Sequence, residues 1–320
     1  MYDGAMYTLN SAISFGFGKD FSDQKTADKE FRVRIHSPTR DVLDPVTELK
    51  KNALAVAKMG KPRLCLSGGL DSEIMASAFI SAGIDFEAVI IRFENDLNLE
   101  DITHAISFCN ENDIKFVFVD LNVIEFFSKR NYRPILNEYR VPSPEVAEQI
   151  YAYRQVPGNL VVGGEAFRVF KGSRNELDYK AVSELEAAII KYFLVERSGG
   201  CPNFHFYSAE GAWSFFKTSL KHPSLLVEND HDPLFYDEKL KFYSACGFKV
   251  INRADRNIKL HGFEGVKKYF DEIGGEDGNY QKKFREPEKA KYPLSPTVKI
   301  IFDHKNPQIE KIFRRTGADE

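Results

Sequence analysis

Residues 64 to 79 read LCLSGGLDSEIMASAF, an apolar run that breaks at Ser67-Gly68-Gly69-Leu70-Asp71-Ser72 and restarts with a helical pattern. Consecutive backbone N–H groups, two positions without a Cβ, two hydroxyls and the positive end of the following helix together make a cradle for phosphate. The spacing is not that of a Walker A loop, since no lysine precedes the final serine, nor is it the dinucleotide pattern Gly-x-Gly-x-x-Gly. Asp71 is the odd member, because a carboxylate beside a polyphosphate repels it. A divalent cation between the two removes the repulsion, so Asp71 reads as a Mg²⁺ ligand. The competing structural reading is a glycine turn followed by an ordinary Asp/Ser helix start.

The surrounding elements must hold this loop open. RLCL is a short strand, and Glu73 to Ala82 form a helix ended by Gly83. FEAVIIRF is nearly continuous in apolar residues, as in a strand buried on both faces of a parallel sheet. NLEDITHAISFCNEND makes the next helix, IKFVFVDLN a third strand, Ser143-Pro144 the capped start of another helix, and GNLVVGG a fourth strand. Strands alternating with helices predict an α/β fold: an open parallel sheet with helices on both faces, Rossmann-like, with ligands at the carboxyl ends of its strands. Residues 1–60 read as an extension with one strand, FRVRIHS, and one helix, DPVTELKKNALAVAK. Residues 61–175 form the α/β domain, and 176–320 turn mostly helical.

The chain of 320 residues is 43% hydrophobic and 28% charged, with a formal net charge of −3, which gives no electrostatic claim on nucleic acid or an anionic membrane. No apolar stretch is long enough for a bilayer span, and MYDGAMYTLN lacks the basic start of a signal peptide. Cys65, Cys109, Cys201 and Cys246 are too scattered for a zinc or dithiol motif, and a reducing cytoplasm is the expected setting.

The string SGGLDS between strand and helix resembles the signature of the N-type PP-loop ATP pyrophosphatases, a family that includes asparagine synthetase, β-lactam synthetase, GMP synthetase and NAD synthetase. The resemblance covers residues 61 to about 175 and is greatest to the synthetase domain of asparagine synthetase. It implies the adenine nucleotide alpha hydrolase-like fold, and cleavage of ATP between its α and β phosphates with adenylation of an acceptor oxygen.

By the same resemblance ATP lies on Leu66, Ser67, Gly68, Gly69, Leu70, Asp71 and Ser72. The adenine lies against Leu66 and Ile91, Arg92 and Phe93, and Gly163 and Gly164 lie beside the phosphates. LVVGGEAFRVFKG stands where the family has a glycine- and acid-rich motif, with Gly163, Phe170 and Gly172 in step. The family's Asp-Glu pair falls on Phe167 and Arg168, which makes Glu165 the nearest carboxylate and a displaced second Mg²⁺ ligand beside Asp71. HDPLFYDEKLKFYSACGF echoes a helical Pro-Phe-Asp-x-x-Leu stretch of asparagine synthetases, and among the following cations Lys259 takes the place of the family's phosphate-side lysine. Asp71, Ser67 and Lys259 are the implied catalytic residues.

About sixty residues precede the loop and hold no glutaminase domain with an N-terminal cysteine, so ammonia or a substrate amine is the expected nucleophile. The expected activity is therefore an ATP-dependent, AMP-forming ligase acting on a small-molecule acceptor. Two alternatives stay open: a PP-loop enzyme modifying a nucleoside or tRNA, and a nucleotide-binding module that has lost turnover. QKKFREPEKAKYP, with five basic and two acidic residues, could touch an RNA backbone, but reads more simply as a solvated face. NFHFYSAEGAWSFF reads as core.

Overall fold

The computed structural model describes residues 7–9, 12–25, 29–171, 177–180, 182–197, 199–222, 235–250, 262–273, 279–295 and 298–303. Near the amino terminus β1 (Tyr7–Leu9), β2 (Ile13–Phe17) and β3 (Phe31–Ile35) pair antiparallel in that order. β3 is FRVRI, and its Phe31, Val33 and Ile35 face the core while Arg32 and Arg34 do not, the period-2 pattern of a half-buried strand.

Helix α1 (Pro45–Ala57) starts where Asp44 accepts from the Thr47 N–H at 2.9 Å and Pro45 takes the first turn. Then the chain alternates: β4 (Pro62–Cys65), α2 (Leu70–Ser81), β5 (Glu87–Phe93), α3 (Leu99–Glu111), β6 (Phe116–Leu121), α4 (Val123–Ser128), α5 (Arg133–Tyr139), α6 (Pro144–Arg154) and β7 (Asn159–Val161). Ser143 caps α6 by accepting from the Val146 N–H at 3.2 Å. Among the described residues these strands form a parallel sheet in the order β6-β5-β4-β7.

Side chains of β5 alternate between two cores. Val89 and Phe93 join Cys65, α4, α5 and α6 on one face, while Ala88 and Ile90 join Leu64, Leu66, α1, α2 and α3 on the other. The sheet thus has helices on both faces, the expected α/β fold. Because β4, β5 and β6 run one way across the sheet and β7 returns to the other side of β4, the strand order reverses between β4 and β7. A crevice opens at the carboxyl ends of the strands at such a point.

Beyond the sheet, β8 (Arg168–Lys171) and β9 (Leu177–Lys180) pair antiparallel, and α7 (Glu184–Glu196), α8 (Ala209–Lys221), α9 (Phe235–Ala245), α10 (Glu264–Ile273), one π-helical turn (Gln281–Arg285) and α11 (Glu286–Lys291) follow. Strand β10 (Val298–Phe302) pairs parallel with β3. The leader shares a core with later parts of the chain: Phe31 and Val33 cluster with Phe206, Trp213 and Phe216, and Phe302 packs against that cluster. The NFHFYSAEGAWSFF stretch is core as expected, with Phe204, Phe206, Trp213, Phe215 and Phe216 all buried. The basic QKKFREPEKAKYP segment is docked on α5, through buried Phe284 and a 2.9 Å bond from Arg133 to buried Glu288.

Candidate active site

The crevice between β4 and β7 is a cavity of about 680 Å³. Cys65 and Ser67 line it from the end of β4, Asp71 and Ser72 from α2, and Val162, Gly163, Gly164 and Glu165 from the end of β7. Ser143, Gln149 and Tyr153 of the α6 segment, Glu186 and Ile189 of α7, and Phe263, Lys267 and Arg285 close the other walls. That volume suits a ligand of nucleotide size.

Helix α2 begins three residues earlier than its apolar stripe suggests, so Asp71 and Ser72 lie in its first turn with Gly69 at the N-cap. The loop is tied to itself. Ser72 Oγ donates to the Gly69 carbonyl at 2.8 Å and accepts from the Ser67 N–H at 3.3 Å, while the Gly69 N–H reaches Ser67 Oγ at 3.4 Å. Gly68 has φ +74°, and a Cβ there would stand 2.1 Å from the Asp101 carbonyl oxygen. Gly69, by contrast, has φ −87°, and its Cβ would meet only Ser67 Oγ at 3.5 Å. Within the loop the strict glycine requirement therefore rests on Gly68. Leu70 is buried in the core and can offer a ligand only its backbone.

Gly163 and Gly164 let the end of β7 approach the loop. A Cβ on Gly163 would lie 3.4 Å from the Asp71 carbonyl, and one on Gly164, at φ +67°, would collide with the Asn203 amide at 2.3 Å. The Gly163 carbonyl accepts from His205 Nδ1 at 2.8 Å, which places the imidazole proton on Nδ1 and leaves Nε2 as a bare lone pair. His205 is fully buried, its Nε2 has no hydrogen-bond partner among the described residues, and burial lowers its pKa.

Asp71 departs most from expectation. The Lys239 ammonium donates to its Oδ2 and the Tyr243 hydroxyl to its Oδ1. Burial alone raises the carboxyl's pKa, but the Lys239 charge, the neighbouring His205 and the two donors outweigh it and bring it down to about 2. Asp71 thus carries a compensating charge and one donor on each oxygen, and Glu165 lines the same cavity. Among the described residues no group of three or more His, Cys, Asp or Glu side chains is placed to hold a metal.

A folded pKa of about 2 against the ordinary 3.8 means that Asp71 contributes stability above pH 3.8, lost as pH falls through 3.8 toward 2. The amount is about 2 kcal/mol. Urea titrations at pH 2 and pH 6 should show wild type losing that much more than Asp71→Asn; equal losses would remove the ion pair from the folded state.

The adenine-side residues are also differently engaged. Leu66 is buried, and its N–H donates to the Val89 carbonyl at 2.9 Å. The Ile91 carbonyl accepts from Asn98 Nδ2 at 2.9 Å, and the Phe93 N–H donates to Asn98 Oδ1 at 2.8 Å. One side-chain amide therefore holds the two backbone groups expected to read a purine edge, and a base can use Ile91 only through the carbonyl's second lone pair or by displacing Asn98. Arg92 is committed to Asp120 at 2.6 and 3.0 Å and stacks over Phe118.

Phe167, where the family's acidic pair begins, is fully buried and stacked on Phe216 at 4.7 Å, so it is core and not site. Glu165 does line the cavity. Lys259, Arg253 and Arg256 lie outside the described residues, as does the side chain of Arg168.

Sequence reasoning does not single out Lys239, Tyr243, His205 or Arg285; it reads Asn98 as a helix cap and Lys267 as one of the cations around Lys259. Lys239 and Tyr243 fall inside the stretch that echoes Pro-Phe-Asp-x-x-Leu, and their i, i+4 spacing puts both on one face of α9. That spacing was the available signal. The four cysteines are free and buried, and burial pushes the Cys109 thiol up to about 11 and raises Cys201 as well. Neither Cys109 nor Cys201 is a ready thiolate. A variant with all four changed to Ala or Ser should keep any ATP-consuming activity and lose only cavity-related stability, about 1–2 kcal/mol per site. A single indispensable cysteine in a folded variant would replace amine chemistry with thiolation.

The chain matches no protein-family profile and no curated protein sequence. Among solved structures it aligns with NMN synthetase from Francisella tularensis at 15% identity and a TM-score of 0.28, over 37% of this chain and 54% of that one. It also aligns with the NH3-dependent NAD synthetase from Campylobacter jejuni, in complex with the nitrate ion, at 14% identity and a TM-score of 0.27, over 65% of this chain and 97% of that one. The chain thus spans about half the length of the first of these. No described helix is long and apolar enough to cross a membrane.

Proposed function

We propose that this chain is an ATP-dependent ligase that activates an acceptor oxygen as its adenylate and passes the activated group to an amine. The observation that carries the reading is the Ser67–Ser72 loop, set at the strand-order reversal with Gly68 locked at positive φ and opening onto a cavity of about 680 Å³. The backbone N–H groups at the start of α2 and the Ser67 hydroxyl face the polyphosphate. The acceptor enters beside Lys267, which supplies positive charge for a carboxylate, while Arg285 on the same lining is paired with Glu145 at 3.7 Å. Residues 61–175 are then the nucleotide side, and 176–320 supply the acceptor side.

In the first step an acceptor carboxylate oxygen forms a bond to the α-phosphorus and the α–β bridging bond breaks, releasing pyrophosphate. In the second, the amine nitrogen bonds to the acyl carbon, AMP leaves with the electron pair, and the amine loses a proton to solvent. The chain's part is positioning and charge complementarity to the transferring group. Magnesium would come as the nucleotide's own counter-ion.

Incubation with ATP, magnesium, ammonium and pooled carboxylates should give AMP and pyrophosphate in equal amounts and only when an acceptor is present. ADP with phosphate would defeat the reading. ATP binding with no product at all would favour the second reading, a nucleotide-binding module. Phe167 supports that second reading, because it buries an aromatic ring where the resemblance requires an acid.

A further inference from the structure

A carboxylate in the first turn of a phosphate-binding helix is an electrostatic problem, and the fold contains its own answer. Lys239 and Tyr243 stand one turn apart on α9, and each donates to a different oxygen of Asp71. Neither is a loose surface group. Lys239 is 9% exposed and Tyr243 fully buried, with its ring against Phe215, Phe242 and Phe248. A divalent cation at Asp71 would have to compete with the ammonium and the phenol already on its two oxygens. His205 lies beside the same pair: its Nδ1 donates to the Gly163 carbonyl, and burial lowers its pKa.

We infer that Lys239 is the built-in counter-cation of the cradle, so that Asp71 positions Lys239 and does not ligate a metal. The inference rests on the reading of the loop as a nucleotide site. With Asp71 neutralised from the α9 side, the positive N-terminus of α2 faces the polyphosphate with no uncompensated carboxylate in its first turn beside the loop. Polyphosphate then binds the protein without a bridging metal between it and Asp71. Lys239 acts through Asp71 and is a positioning residue.

Three variants and two probes test this. Inorganic pyrophosphate binding is measured by calorimetry in excess EDTA, and Mn²⁺ binding to the nucleotide-free protein by electron paramagnetic resonance. Wild type should bind pyrophosphate in EDTA, and no stoichiometric Mn²⁺ should be bound through Asp71. Lys239→Met leaves the carboxylate unpaired beside the cradle and should weaken pyrophosphate by on the order of 30-fold or more. The double variant Asp71→Asn with Lys239→Met removes both charges and should recover affinity to within about tenfold of wild type. Asp71→Asn alone frees the ammonium and should hold or raise pyrophosphate affinity.

A Mn²⁺ ion bound by wild type and lost in Asp71→Asn overturns the inference, as does a double variant no better than Lys239→Met. The Asp71→Asn and Mn²⁺ results decide the matter even where Lys239→Met does not fold. If wild type binds neither ATP nor pyrophosphate, with or without magnesium, the nucleotide reading itself fails. ATP binding together with an Asp71-dependent Mn²⁺ site sinks the counter-cation alone.

Discussion

Gly68→Ala is expected to abolish nucleotide binding at the loop, with ATP affinity falling by on the order of 100-fold or more. Two costs combine. A non-glycine residue at φ +74° carries about 1–2 kcal/mol of left-handed strain, and the new methyl would stand 2.1 Å from the Asp101 carbonyl oxygen. Backbone cannot yield there as a side-chain tip can, so the loop must move away from α3 and the N–H groups lose their common aim. Gly69→Ala is the control, since its φ of −87° and a nearest neighbour at 3.5 Å let the free protein accept a methyl. Calorimetry with ATP, alongside thermal melts of both variants, separates loss of the cradle from loss of the fold. Wild-type affinity in Gly68→Ala would move the phosphate site elsewhere.

Glu148 should make the protein markedly weaker at alkaline pH. The residue sits in α6, 2% exposed, and its Oε1 has no hydrogen-bond partner among the described residues. Burial first, and the nearby Glu145 charge second, raise its pKa from the ordinary 4.5 to about 8. The folded protein therefore holds this proton more tightly than the unfolded chain does. Stability from this group is complete below pH 4.5 and is lost as pH rises from 4.5 through 8. The loss amounts to on the order of 4–5 kcal/mol. Glu148→Gln keeps the shape without the titration, so its stability relative to wild type should grow by that amount between pH 5 and pH 9 in urea titrations. An unchanged difference across that range would mean that the carboxyl is charged or solvated in the folded protein.

Much of the fold could be read from the order of the residues, because its causes are local. The apolar strand FEAVIIRF, the Ser143-Pro144 helix start and the alternating FRVRI each state a period or a cap that their neighbours do not have to supply. The Ser67–Ser72 loop is legible for the same reason: two glycines, two serines and a helix start lie within six residues. What the order of residues could not state was the charge beside that loop. From sequence, Asp71 is a bare carboxylate that needs a cation, and magnesium is the simplest one. Only the packing of α9 against α2 brings Lys239 and Tyr243, 168 and 172 residues away, onto its two oxygens. Asn98 on the backbone of Ile91 and Phe93, and Phe167 stacked into the core, were decided in the same way. Periodicity and turn chemistry act between neighbours along the chain, whereas charge compensation and burial are set by whatever side chains the tertiary fold brings within a few ångströms, and no spacing rule encodes them.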